Sequence, residues 1–195
     1  MKMQEAEMKK RAYLIHGYEG RPEHGWRPWL KTELEKHGFE VTVPAMPNPD
    51  YPVMDEWVGH ISKVVGKCDS GCFFVGHSLG CIAIMRYFEG LPSSQKAGGA
   101  VMVAGFSDYL GMKPLQSFFT TEINWEKLKA SCRKFVAIHS DNDPYVPLKH
   151  ADIFKEKLGA KIIIERGRGH FSGSEGTTRV DSVLESLLEM SSNQK

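Results

Sequence analysis

The sequence predicts an α/β protein, a three-layer α/β/α sandwich around a six-stranded, mostly parallel sheet. Three observations carry this. Six short apolar runs recur along the chain, and stretches with helical spacing of apolar residues alternate with them. The runs are nearly continuous in apolar character, as strands covered on both faces must be.

The elements follow in chain order. Ala12–Ile15 (AYLI) is the first strand and ends in His16-Gly17-Tyr18. Trp26, Leu30 and Leu34 recur at helical spacing, with Gly38 as a stop. Phe39–Val43 is the second strand, and Pro44 to Pro49 form a loop. Met54, Trp57, Val58, Ile61, Val64 and Val65 mark one face of an amphipathic helix. Cys72–Val75 is a third strand, and Cys81–Phe88 follows as a helix that Gly90 closes. Ala100–Ala104 is the fourth strand, and residues 105–131 have mixed character. Phe135–Ile138 is the fifth strand, Pro147–Leu158 a helix and Lys161–Glu165 the sixth strand. Val180, Val183, Leu184, Leu187 and Leu188 give a last helix, with Thr178 and Asp181 spaced for a capping box. No repeat or linker interrupts the series, so residues 1–195 read as a single domain, with 105–134 a short cap-like insertion.

Composition narrows the function classes. The 195 residues carry 25 basic and 24 acidic side chains spread without blocks, for a net charge of +1, which leaves no footprint for nucleic acid. No window approaches the ~18 consecutive apolar residues of a membrane span. The N-terminal stretch MKMQEAEMKKR is charged throughout and lacks a signal-peptide core. Cys68, Cys72, Cys81 and Cys132 are scattered without metal-ligand spacing and read as buried reduced thiols, so the expected compartment is the cytoplasm.

Between the third strand and its helix lies Gly76-His77-Ser78-Leu79-Gly80, a match to G-x-S-x-G. A strand turning directly into a helix strains its middle residue and crowds the neighbouring backbone. Glycines two before and two after relieve that crowding and leave the serine oxygen exposed at the top of the sheet. Ser78 is therefore the candidate nucleophile. Right-handed crossovers place every strand's C-terminal end on one edge, where such sheets bind ligands. Asp143 follows the fifth strand and His170 the sixth, so the fold gathers all three residues there. A serine hydroxyl is a poor nucleophile at neutral pH. A histidine must accept its proton, and a carboxylate must hold that histidine in one tautomer.

Competing residues are weaker. Asp141 also follows the fifth strand, but Asp143 opens the turn Asp-Pro-Tyr-Val-Pro that leads into a helix. His77 lies inside the elbow and is expected to be structural, and His139 and His150 are lesser candidates for the base. The Asp-Asn-Asp run lacks the glycine and distal glutamate of a calcium loop, and no phosphate loop or dinucleotide fingerprint occurs, so neither metal nor organic cofactor is implied. The backbone N–H of Leu79 should stabilise the oxyanion, and that of Tyr18, in the loop after the first strand, should supply the second donor.

Several stretches together resemble the α/β-hydrolase superfamily, and within it small serine hydrolases of the YdeN and retinoblastoma-binding protein 9 type. They are HGYEG at 16–20, HGWRPWLKTELEKHGF at 24–39, the Met-Pro-Asn-Pro loop at 46–49, GHSLG at 76–80, FFTTEINWEKLKASC at 118–132, SDNDPYVP at 140–147 and GRGHF at 167–171. The resemblance covers nearly the whole chain. It implies a minimal α/β-hydrolase fold without the first two strands of larger relatives, and Ser78, His170 and Asp143 as nucleophile, base and orienting acid. It says little about substrate. The Leu-x-Cys-x-Glu segment behind the retinoblastoma-binding label does not occur here.

With 30 residues, the segment 105–134 is too short for a large lid. The site should be open and rimmed by that segment and the loop at 17–25. Phe106, Phe118, Phe119, Trp125 and Phe171 are candidates for its lining, and the Tyr18 side chain is expected to be wall. These readings point to hydrolysis of a small acyl ester, a carboxylesterase-like activity (EC 3.1.1), with amide and thioester cleavage open to the same residues. The alternative is a binding protein on a hydrolase scaffold, since fold alone does not establish activity.

Overall fold

The computed structural model describes residues 9–192. The N-terminal stretch read for a signal-peptide core lies, up to Met8, outside the described residues. Strands β1 (Lys10–Ile15), β2 (Phe39–Thr42), β3 (Cys72–His77), β4 (Gly99–Val103), β5 (Phe135–Ser140) and β6 (Lys161–Glu165) form one sheet in the order β2-β1-β3-β4-β5-β6. Every neighbouring pair is parallel.

Side chains alternate across the strands and divide the core in two. Tyr13, Ile15, Phe74, Ala100, Met102 and Ala137 face one side, where α2 (Met54–Val65), α3 (Leu79–Glu89), α4 (Trp125–Ser131) and α5 (Lys149–Leu158) pack. Leu14, Phe73, Val75, Val101, Val103 and Ile138 face α1 (Arg27–Lys36) and α6 (Asp181–Ser192) on the other. Phe73 and Phe74 are both fully buried, one on each face, and each contributes roughly 2–3 kcal/mol of burial. The sheet is thus apolar on both sides because helices cover both. Strand β6 departs from that pattern. It is an edge strand, with Lys161 and Ile164 exposed.

The strand order fixes where a site can form. From β1 the chain moves outward to β2, then crosses back to β3 on the other flank of β1. The reversal lies between β1 and β3, so loops leaving these two strands diverge and open a crevice at their C-terminal ends.

The insertion forms a 3₁₀ helix, Lys113–Phe119, and α4. Buried Arg86 of α3 anchors it, donating to the carbonyls of Phe118, Thr121 and Glu122 and pairing with Glu89. The capping box expected at Thr178 and Asp181 does not form. Helix α6 begins only at Asp181, whose carboxylate pairs with Arg179. A capping box closes instead at Ser172 and Glu175. All four cysteines are buried and free, and burial pushes the Cys132 thiol up to about 12. No helix among the described residues is long and apolar enough to cross a membrane.

Candidate active site

Ser78 is the hinge between β3 and α3. Its φ of 53° and ψ of −119° lie in a region that L-residues rarely adopt, a strain worth roughly 1–3 kcal/mol. Two hydrogen bonds hold it: Ser78 N–H donates to the Val103 carbonyl at 2.9 Å, and Cys81 N–H donates to the Ser78 carbonyl at 2.9 Å. The flanking glycines are required by contact. A Cβ on Gly76 would stand 2.7 Å from Cys81 backbone, and one on Gly80 would run into the Ile15 carbonyl. The elbow is therefore pressed against the end of β1.

The loop after β1 passes directly over Ser78; a Cβ on Gly17 would lie 3.0 Å from that of Ser78. Buried His16 shapes this loop. Its Nε2 accepts the Met46 N–H at 3.2 Å, which leaves the proton on Nδ1 to donate to the Gly17 carbonyl at 2.9 Å. Gly20 N–H donates to the same carbonyl. With that oxygen held from two sides, the trans peptide turns Tyr18 N–H the opposite way. Neither Tyr18 N–H nor Leu79 N–H has a hydrogen-bond partner among the described residues. Burial pushes His16 down to about 4, so it remains neutral.

The loops after β5 and β6 meet through a ladder of side chains. Ser140 Oγ accepts from Arg168 N–H, Asp141 Oδ1 from Gly167 N–H and Asn142 Oδ1 from Gly169 N–H. At the end of this series Asp143 Oδ2 accepts from His170 Nδ1 at 2.8 Å. Asp143 Oδ1 accepts the N–H groups of Tyr145 and Val146. Asp141 is thus a loop tie, while Asp143 is the carboxylate on the histidine. Burial works against the Asp143 charge. The His170 hydrogen bond and charge, with the two N–H donors, prevail and hold the carboxyl below its usual range.

Two further residues complete the hold on His170, and sequence reasoning ties neither of them to it. Glu175 accepts the His170 N–H at 2.9 Å and also takes the Ser172 N–H and hydroxyl. The signal was present: Ser172-Gly-Ser-Glu175 has capping-box spacing. His77 is structural as expected, yet it acts at the site. Its Nε2–H donates to the His170 carbonyl at 2.7 Å, and burial keeps it neutral. The backbone of His170 is held at N–H and carbonyl, and its ring at Nδ1. Only Nε2 is left for chemistry.

Ser78 and His170 line one cleft of about 630 Å³ with Gly17, Tyr18, Glu19, Glu23, His24, Arg27 and residues 172–174. Neither Ser78 Oγ nor His170 Nε2 has a partner among the described residues, and such bonds commonly tighten only with substrate in place. Tyr18 is among the residues that line the cleft. The other aromatic candidates do not line this cleft. Phe106 and Phe118 are buried in the core beside α3, and Phe119 packs against that core. Phe171 is buried on the opposite face, where its carbonyl accepts from Trp26 Nε1. Trp125 borders a separate recess with Ile123 and Lys129. Spacing could not separate core from wall, because both demand large apolar residues. The rim is made by residues 17–25 and 172–174, and the 105–134 segment does not line the cleft. His139 and His150 are buried elsewhere, with the His150 ring on Ser107.

Comparison with known proteins agrees with this architecture. A family model described as serine hydrolase matches residues 12–189. YdeN of Bacillus subtilis (strain 168) is 30% identical over 188 residues, covering 96% of this chain and 99% of that protein. Serine hydrolase RBBP9 of Rattus norvegicus is 30% identical over 155 residues, covering 78% of this chain and 81% of that protein. The crystal structure of the B. subtilis ydeN product superposes with a TM-score of 0.91, covering 95% of this chain and all of that one. Est1E from Butyrivibrio proteoclasticus shares the fold at 17% identity, with a TM-score of 0.74 over 97% of this chain and 91% of that one. The chain belongs to the serine hydrolase family.

Proposed function

We propose that this serine hydrolase cleaves small carboxylic esters through an acyl-enzyme formed on Ser78, with His170 as general base and acid and Asp143 as its orienting carboxylate. The observation that carries the reading is the 2.8 Å Asp143–His170 bond, which frees His170 Nε2 in the cleft that also holds the strained Ser78. Ser78 Oγ attacks the ester carbonyl and gives its proton to His170 Nε2. Asp143 stabilises the imidazolium and keeps the proton on Nδ1. The oxyanion draws on the N–H groups of Tyr18 and Leu79. His170 then protonates the departing alcohol. Water enters, loses a proton to Nε2 and displaces Ser78 from the acyl group, releasing the acid. The same steps serve amides and thioesters, and the open cleft favours small substrates.

The test is labelling with a fluorophosphonate followed by intact mass, comparing wild type with Ser78→Ala, alongside a panel of 4-nitrophenyl esters. A single adduct that disappears in the variant, and ester turnover reduced by roughly a million-fold, are expected. Well-folded wild type that takes no label and cleaves no ester would leave a binding protein on a hydrolase scaffold.

A further inference from the structure

Two arginines among the described residues are buried, and they are treated very differently. Arg86 is 6% exposed, and its donors are spread over three carbonyls and the Glu89 carboxylate. Arg27 is 5% exposed, yet only its Nη2 is engaged, on the Arg21 carbonyl at 3.0 Å. Its Nε is buried without any acceptor. No carboxylate forms an ion pair with Arg27 among the described residues. Glu23 is the acid whose field reaches it, but that side chain is exposed and does not close on the guanidinium. Burial lowers Arg27 to about 10, so it stays charged at neutral pH. A buried, unpaired cation is costly unless an anion completes it.

Arg27 also stands in the wall of the cleft that holds Ser78 and His170. It is the first residue of α1 and packs beside Trp26, whose ring meets that of His77 at 5.9 Å. It is therefore built into the same frame that carries the candidate base. A structural strut for residues 21–27 would need one donor, and Arg27 presents five.

We infer that Arg27 is a specificity determinant: the cleft takes esters that carry a second, ionised carboxylate, which docks on the Arg27 guanidinium while the ester carbonyl reaches Ser78. The substrate class is a half-ester of a dicarboxylic acid, or an ester whose alcohol bears a carboxylate. This rests on the hydrolase reading above, and it adds no chemical step to it. A planar fork of N–H donors matches a carboxylate in charge and shape, which a lysine would not reproduce.

The test uses matched esters, 4-nitrophenyl hydrogen adipate against 4-nitrophenyl hexanoate, and 4-carboxyphenyl hexanoate against phenyl hexanoate. Wild type should favour the anionic member of at least one pair. In Arg27→Gln the anionic-to-neutral ratio of kcat/KM should fall roughly 10- to 100-fold, chiefly through KM. Arg27→Lys should lose part of that preference, and it serves where Arg27→Gln does not fold. No preference in wild type, or the same ratio in both variants, overturns the inference. Calorimetry of monomethyl adipate binding to Ser78→Ala, with and without Arg27→Gln, reads the anion site without turnover. Binding that depends on Arg27 in a protein that takes no fluorophosphonate would sink the hydrolase reading alone. Ester hydrolysis indifferent to charge would sink the inference alone.

Discussion

The elbow that carries Ser78 and the loop that carries His170 reach the same cleft by different physics. At the elbow, position is set by backbone sterics. Ser78 is forced into its φ of 53°, and Gly80 stands against the end of β1 with no room for a methyl group. At His170, position is set by side chains that reach across to another loop's backbone. Ser140, Asp141, Asn142 and Asp143 grip residues 167–170, while Glu175 and His77 take the two backbone groups of His170. A steric device fails all at once. A hydrogen-bonded one has several members and fails by degrees, except where one member touches the His170 ring itself.

The comparison yields graded predictions. The largest effect is expected from Gly80→Ala, whose new methyl group meets the carbonyls of Ile15 and His16 in a region that cannot give. It should destabilise the fold by about 3 kcal/mol or more and abolish fluorophosphonate labelling, read by urea unfolding and intact mass. Near-wild-type stability would show that the elbow is softer than its contacts indicate.

Asp143→Asn comes next. Asn keeps an oxygen for the Tyr145 and Val146 N–H groups, so the melting temperature should hold. The His170 tautomer is lost, and kcat should fall on the order of 10⁴. Asp141→Asn, which alters only the tie to Gly167, should cost less than about tenfold. If Asp141→Asn were the crippling change, the assignment of the acid would be wrong. Glu175→Gln sits between the two. It weakens three charge-assisted bonds to the His170 loop and should lower kcat roughly 10- to 100-fold with little change in KM.

Acid should bring the smallest effect near neutral pH, because both regions rest on buried neutral histidines. His16 and His139 are pushed down from 6.5 to about 4 by burial, so the unfolded chain binds their protons first. Their contribution is complete above about pH 6.5 and is lost progressively toward pH 4, by roughly 1 kcal/mol per pH unit for each histidine. Asp143, held below 3.8, gives way only at lower pH. Folding stability should therefore fall as the pH drops from 6.5 toward 4, which urea titrations at pH 7.5, 5.5 and 4.5 would reveal as a falling midpoint. A flat midpoint over that range would contradict the burial of neutral His16.

The sequence by itself determined the strands, the helices, the elbow and the chain order of Ser78, Asp143 and His170. These depend on local rules: a period of two or 3.6, a cap, a glycine where backbone crowds backbone. Tertiary structure decided everything that turns on side-chain direction between distant residues. It chose Asp143 over Asp141 for the histidine ring, brought His77 and Glu175 onto the His170 backbone, and sent Phe106, Phe118 and Phe171 into the core. It also left Arg27 buried without a carboxylate partner in the wall of the cleft that Ser78 lines, where the sequence shows only an arginine before a proline. Local spacing says which face of an element a residue occupies. What that face meets is settled only when the sheet is assembled, because strand order and crossovers bring together loops that lie far apart in the chain.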